Sequence, residues 1–299
     1  MTTLQPVQPT ADVAVTNGWR VGSRRLRALM TPKGLIGASL VTVFALIALL
    51  APLLIPEALS TQIDVTARLK PPSLDHLLGT DQLGRSLFYR VLLGAHTSLL
   101  IAVSAVAISI LIGLPLGVVS GYFRGKVDLV VMRLVDTLLS FPVILLALAI
   151  SAILGPNVQN TILAIGVAFA PYLARIVRGE TLKVGSLPYI EAARSQGASN
   201  WRIVRRHILP NIMAPVIVQA TISIAFAILA EAGLSFLGLG TQPPTPSWGL
   251  MIQASRDYLD VAAWTALVPG FAVALTVLGL NMLGDTLRDV LDPTVVFEA

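Results

Sequence analysis

Residues 191–210 read EAARSQGASNWRIVRRHILP, a basic, helix-prone stretch set between hydrophobic segments long enough to cross a bilayer. That setting decides the fold class. A polar hairpin framed by spans belongs to an integral membrane protein and lies at the membrane surface, where another body can push on it. Between Arg175 and Pro210 the chain carries Arg175, Arg178, Lys183, Arg194, Arg202, Arg205 and Arg206 against Glu180 and Glu191, with Gly185, Pro188 and Gly197 as punctuation. The pattern predicts two short helices joined at a sharp turn. Ser186 or Leu187 leads into a helix opening at Pro188, a residue tolerated in the first turn, and Glu191 follows where the helix dipole favours an anion. Gly197 ends it, because glycine accepts the left-handed conformation of a helix stop. Glu191 and Arg194, three apart, are placed to pair with each other or across an interface.

Composition agrees. With 55% hydrophobic residues, 12% charged and a mean hydropathy of +0.79, the chain is too apolar for a soluble domain of 299 residues. It has no cysteine, which excludes disulfides, Fe–S clusters and thiol nucleophiles. His76, His96 and His207 are scattered and lack the paired spacing of a metal site. Nor is there a phosphate-binding loop: Gly125-Lys126 has Ser120 where the leading glycine belongs and no Ser or Thr after it. Neither a metal nor ATP is therefore expected in this chain, and energy has to come from a partner or an ion gradient.

Crossing a hydrocarbon core of about 30 Å takes about 20 apolar residues of helix. Runs near that length fall at residues 35–55, 99–119, 134–154, 161–173, 212–239 and 262–283, giving an all-α protein of about six spans. The fourth run is short and needs polar flanks to cross, so the count stays open there. The first follows Arg20, Arg24, Arg25, Arg27 and Lys33, and its polar leader and uninterrupted apolar stretch read as an anchor rather than a cleaved signal. With the amino terminus inside, all 21 basic residues except Arg68, Lys70, Arg85, Arg90 and Arg256 lie on the inner side. The positive-inside rule favours this orientation, with both termini cytoplasmic, and the basic balance needs no nucleic acid to explain it.

Several features concern packing and path. Gly113, Gly117 and Gly121 recur along the second run, so one face admits a neighbouring backbone. Pro115, Pro142, Pro171, Pro215 and Pro269 sit in or near spans, where prolines kink helices and free carbonyls. Polar groups inside spans are costly and are functional candidates by default. Glu231, in the fifth run, and Gln219, a weaker case, are the pathway candidates, with a structural role for Glu231 favoured. Arg133 is expected to pair with Asp136, and Asn281 with Asp285. Before the second run, Asp81, Gly84 and Arg85 are expected to open an amphipathic surface helix with Leu83, Leu87, Val91 and Leu92 on one side.

The 191–210 stretch resembles the EAA loop of ABC-importer permeases, in which Glu-Ala-Ala is followed by a glycine and ends on Ile-x-Leu-Pro. Glu191, Ala192, Ala193, Gly197, Leu209 and Pro210 fall at the matching spacing, while His207 stands where isoleucine is usual and Ile208 follows it. Two further stretches are similar to the second permease subunit of dipeptide, oligopeptide and nickel importers. They are PPSLDHLLGTDQLGRSLFYRVLLGAHTSL (71–99) and EAGLSFLGLG (231–240) running into PPTPSWG (243–249). With GDTLRDVLDP (284–293), the likeness covers residues 34 to 293.

The resemblance implies a type I importer permease in a bacterial inner membrane. Its parts would be a cytoplasmic tail (1–33), a first transmembrane helix (34–56), an extracytoplasmic segment (57–96), a permease core (97–285) with its coupling loop (176–211), and a second tail (286–299). Glu191, Ala192, Ala193, Arg194, Gly197 and Pro210 would form the part that docks on an ATPase subunit. Implied partners are a second permease, two ATP-binding subunits that hold ATP and magnesium, an extracytoplasmic substrate-binding protein that docks on the outer face, and membrane lipid. Cargo would be a dipeptide or oligopeptide, with nickel or another small solute as the alternative. A gradient-driven carrier is a rival, but it calls for internal repeats or proton-relay carboxylates deep in the bilayer, and here there is no obvious repeat and only one deeply placed acid.

Overall fold

The computed structural model describes residues 31 to 291. The tail residues Arg20, Arg24, Arg25 and Arg27 and the end of the last matching stretch at Pro293 lie outside them. Among the described residues the architecture is helical throughout, with five single helices long and apolar enough to cross a membrane, and a bent pair that makes a sixth if it counts as one span. These are α1 (Pro32–Leu54), α3 (Leu87–Phe123), the pair α4 (Gly125–Leu139) and α5 (Val143–Leu154), α6 (Val158–Gly185), the run from α8 (Asn200–Ile203) through a single π turn (Val204–Ile208) into α9 (Leu209–Phe236), and α11 (Trp264–Leu291). Short helices α2 (Glu57–Thr61), α7 (Pro188–Ser195) and α10 (Trp248–Ala254) lie in the connections.

The central crossing is α3 against α6. A Cβ added at Gly117 would lie 2.6 Å from the Ala174 carbonyl oxygen, and one at Gly113 would lie 2.7 Å from that of Ala170. Gly121 stands equally close to Thr181, and from the other side Gly166 meets Ile108. Glycine spacing on both helices thus lets the two backbones touch, which is how helices associate where lipid removes the hydrophobic drive. The α1–α11 contact uses the same device, with Gly37 against Met282 and Gly279 against Leu40.

Four expectations are corrected. The run 134–154 is not one helix, because α4 and α5 meet at 87° across Ser140–Pro142. Proline at the start of α5 has no amide hydrogen to carry the ladder across. Helix continues through Pro115, Pro171, Pro215 and Pro269, while Pro142 follows the break. The short fourth run does take up polar flanks, as expected: it belongs to a helix of 28 residues, whose polar turns near the α7 end find carboxylate partners on α4. The amphipathic surface helix does not form. Gly79 and Gly84 have φ of +80° and +75°, and the Asp81 carboxylate caps the turn by accepting from the Leu83 and Arg85 amides. Helix begins only at Leu87 and runs straight into the second span for 37 residues, about 55 Å at 1.5 Å per residue. Asp136 pairs with Arg175 rather than Arg133, and Asp285 pairs with Lys33 at 2.6 Å rather than with Asn281. Both errors followed from reading pairs along one helix when the partners stand on neighbouring ones.

If the α3–α6 crossing depends on bare backbone, Gly117→Leu forces the helices apart. It is expected to cost about 1–3 kcal/mol and to lower the unfolding temperature of the detergent-purified protein. Gly233→Ala, where nothing lies within 4 Å of the added carbon, should leave it unchanged or slightly raised.

Candidate functional site

The hairpin 186–210 is built as a lever whose root is buried and whose crown is bare. α7 opens at Pro188, carries Glu191 in its first turn and stops at Gly197 with φ +80°. The Gly197 and Ala198 amides return to the carbonyls of Arg194 and Ala193, closing the helix end. Ser199 then caps α8 by accepting from the Arg202 amide. Ile190, Ile203 and Ile208 are almost fully buried and join Val118 and Tyr122 of α3, Val177 of α6 and Ile212 of α9 in one apolar cluster. The Tyr122 hydroxyl donates to Asn200 Oδ1 at 2.8 Å, a polar tie from the end of α3 to the hairpin. The π turn accounts for the His207 departure. Its wider coil brings Ile208, not residue 207, into the cluster and leaves His207 half-buried near the Tyr189 ring.

Of the sequence-predicted docking residues, Glu191, Ala192, Arg194, Gly197 and Pro210 are exposed and Ala193 is half-buried. Glu191, Ala192 and Arg194 share the surface of α7, whereas Pro210 stands at the start of α9, away from them in sequence and element. Arg194 makes no ion pair with Glu191, and its guanidinium lies 5.8 Å from the centroid of the Tyr122 ring. Leu187, Tyr189 and Trp201 add exposed apolar area to the same hairpin, an aspect that charge counting in the sequence passed over.

Two ion pairs fasten α4 to the stem of the hairpin. Arg178 on α6 grips Asp128 on α4 with both nitrogens, Nε to Oδ1 at 2.5 Å and Nη2 to Oδ2 at 2.6 Å, and Arg175 bonds Asp136. A forked guanidinium–carboxylate contact fixes orientation as well as charge. α5, beyond the bend, is instead tied to the far end of the bundle, where Ser151 Oγ donates to the Leu239 carbonyl at 2.9 Å.

At that far end Glu231 is fully buried. Ser235 Oγ donates to its Oε1 at 2.8 Å and Ser98 Oγ to its Oε2 at 3.2 Å. Each serine also accepts a backbone amide, Ser235 from Thr241 and Ser98 from Trp248, both at 3.2 Å. The carboxylate is thus the hub that joins α9, α3 and the turn leading into α10, and burial of a polar group without such partners would be costly. The Glu231–Ser235 spacing of four is visible in the sequence; Ser98 and Trp248, far along the chain, are not. Gln219, half-buried on α9, donates to Ser223 Oγ at 3.3 Å within its own helix. No three His, Asp or Glu side chains converge as a metal would require among the described residues, and His96 Nδ1 is engaged with the Ala48 carbonyl at 2.8 Å.

Residues 113–297 match the model of the family described as the binding-protein-dependent transport system inner membrane component. The dipeptide transport system permease protein DppC of Alkalihalophilus pseudofirmus is 42% identical over 285 residues, 95% of this chain and 93% of that protein. The glutathione transport system permease protein GsiD of Pectobacterium atrosepticum is 41% identical over 94% of this chain and 93% of its own length. The di/tripeptide transport system permease protein DppC of Pseudomonas aeruginosa is 47% identical over 73% of this chain and 72% of its own. Among solved structures, an inward-facing form of the MetNI methionine ABC transporter matches with a TM-score of 0.57 at 24% identity. That match spans 68% of this chain and 97% of the other, a likeness of fold.

The forked pair at Asp128 and Arg178 gives a direct test. Arg178→Asp sets two carboxylates face to face and is expected to destabilise the purified protein by about 1 kcal/mol or more, read as a lower unfolding temperature. Adding Asp128→Arg should recover most of the loss. No recovery in the double variant would mean that the pair does not hold α4.

Proposed function

Because the chain belongs to the family of binding-protein-dependent transport system inner membrane components, we propose that it is one of two permease subunits of an ATP-driven importer of di- and oligopeptides in a bacterial inner membrane. The observation that carries this reading is the hairpin, with three buried isoleucines rooting a helix whose Glu191, Ala192 and Arg194 stand bare. Small side chains at Ala192, Ala193 and Gly197 leave room for a groove on an ATP-binding subunit to close around α7. The relatives described as dipeptide, di/tripeptide and glutathione permeases support the cargo class. ATP and magnesium are held by two partner subunits, and an extracytoplasmic binding protein delivers the peptide.

In this scheme the α7 end faces the cytoplasm, both tails lie on that side, and residues 57–86 face outward. Closure of the ATP-binding subunits displaces α7. The isoleucine root passes the displacement to α3, α6 and α9, and the Arg178–Asp128 and Arg175–Asp136 pairs carry α4 along with α6. α5 stays with the far turn through Ser151, so the angle between α4 and α5 changes at Ser140–Pro142. Opening and closing of the inner mouth follows from that bend. Glu231 acts as a structural clasp of the outer end, and Gln219 is the remaining candidate for the path.

Uptake of a labelled dipeptide by cells carrying the full operon tests this, with the chain intact, deleted, or bearing Gly197→Asp, and with ATP depleted in parallel. Nothing lies within 4 Å of a Cβ at Gly197, so aspartate has room there and mainly adds charge to the docking surface, at about 1 kcal/mol for the left-handed backbone. Uptake is expected to need both the chain and ATP and to fall at least about tenfold in Gly197→Asp, the loss of about 1.4 kcal/mol of coupling. Dipeptide uptake indifferent to deletion would remove the cargo assignment. ATP-independent uptake that requires the chain would remove the importer reading.

A further inference from the structure

At the α7 end, beside the docking surface, a groove of about 510 Å³ runs between the last turns of α3 and the start of the α8–α9 run. Leu114, Val118, Val119 and Tyr122 wall it on the α3 side, with Trp201 and Val204 opposite. The volume lies in the range of sites that enclose a small apolar ligand.

Its chemistry says what fills it. α3 meets α6 backbone to backbone through Gly113, Gly117 and Gly121. The groove face of the same helix carries Leu114, Val118 and Tyr122, with no small residue for a second backbone to approach. A thin, flexible chain suits such a slot better than a helix does. The mouth is aromatic and cationic. Trp201 is 67% exposed, an amphipathic ring of the kind that favours a membrane–water interface, and Phe123, 54% exposed, adds apolar area beside it. Arg205 is exposed one helical turn after Trp201, and Arg194 lies over the Tyr122 ring. Among the described residues neither arginine forms an ion pair, in contrast to Arg175 and Arg178 on the neighbouring helix. An apolar slot with one unpaired guanidinium over its Tyr122 wall, and another on the residue one turn after its Trp201 wall, matches an acyl chain joined to a phosphate.

We propose that this groove holds one acyl chain of an anionic phospholipid from the leaflet on the α7 side, with the lipid phosphate against Arg205. The chain packs against Tyr122, whose hydroxyl ties α3 to the hairpin, so the lipid braces the root of the lever. The inference requires that the spans lie in a bilayer and is independent of the cargo.

The test uses the complete transporter assembled with this chain, in phosphatidylcholine vesicles doped with a low fraction of acyl-brominated phosphatidylglycerol or, in parallel, acyl-brominated phosphatidylcholine. Bromine quenches tryptophan on contact, and the Trp201 share is the difference from a Trp201→Phe variant. The phosphatidylglycerol probe is expected to quench that share about 5-fold more than the phosphatidylcholine probe. Arg205→Gln should bring the probes level, and so should Val119→Phe, which narrows the slot without touching charge. Level quenching in the unaltered chain overturns the proposal, as does a phosphatidylglycerol preference that survives either substitution. The readout is lipid contact, so a negative result for peptide uptake leaves it unaffected.

Discussion

The contact of α3 with α6, backbone against backbone through Gly113, Gly117, Gly121 and Gly166, sets the position of everything at the α7 end. Because the two helices touch without side chains between them, the last turns of α6 lie directly beside those of α3. The cluster that roots the hairpin can then draw on both, with Val118 and Tyr122 from one and Val177 and Val184 from the other. A wider crossing would leave Ile190, Ile203 and Ile208 without walls. In a bilayer, where apolar side chains gain little by leaving lipid for protein, this close fit is the available source of helix association.

The two ends of the bundle are held by different chemistry. At the α7 end the hairpin is rooted by aliphatic packing and flanked by the ion pairs of Arg175 and Arg178. At the far end a buried carboxylate, two serines and the amides of Thr241 and Trp248 form a directional knot, and Asp81 with Arg85 and Arg90 forms another. Trp248 is fully buried there and donates its ring nitrogen to the Val91 carbonyl at 3.0 Å. Directional hydrogen bonds in a low-dielectric setting favour one geometry, so the far end is the stiffer frame and the bend between α4 and α5 is where the two regimes meet.

Much of this was legible in the residues. Pro188, Glu191 and Gly197 announced the start, polarity and stop of α7, and the glycine repeat announced a close crossing, because each is a local rule written into consecutive positions. Less was legible where the deciding partner is remote. Nothing near Asp128 or Asp136 points to Arg178 and Arg175, and nothing near Glu231 points to Ser98. The segment before α3 misled for another reason. Its leucines keep helical spacing, yet Gly79 and Gly84 take positive φ, and a Cβ at Gly84 would lie 1.8 Å from the Asp64 carbonyl oxygen, so the chain turns tightly where periodicity alone suggests a helix. The fourth run looked too short because hydropathy ended at arginines that the neighbouring helix pairs.

The central claim is that α7 moves as one body with the ends of α3, α6 and α9 that root it. The chain has no cysteine, so spin labels at Ser195→Cys on α7 and Leu111→Cys on the exposed face of α3 are unique within it. Their separation, measured by pulsed electron resonance in the complete transporter, is predicted to be the same without nucleotide and with ATP trapped. A shift of several ångströms between those states would mean that the hairpin moves independently of its isoleucine root, and would contradict the account.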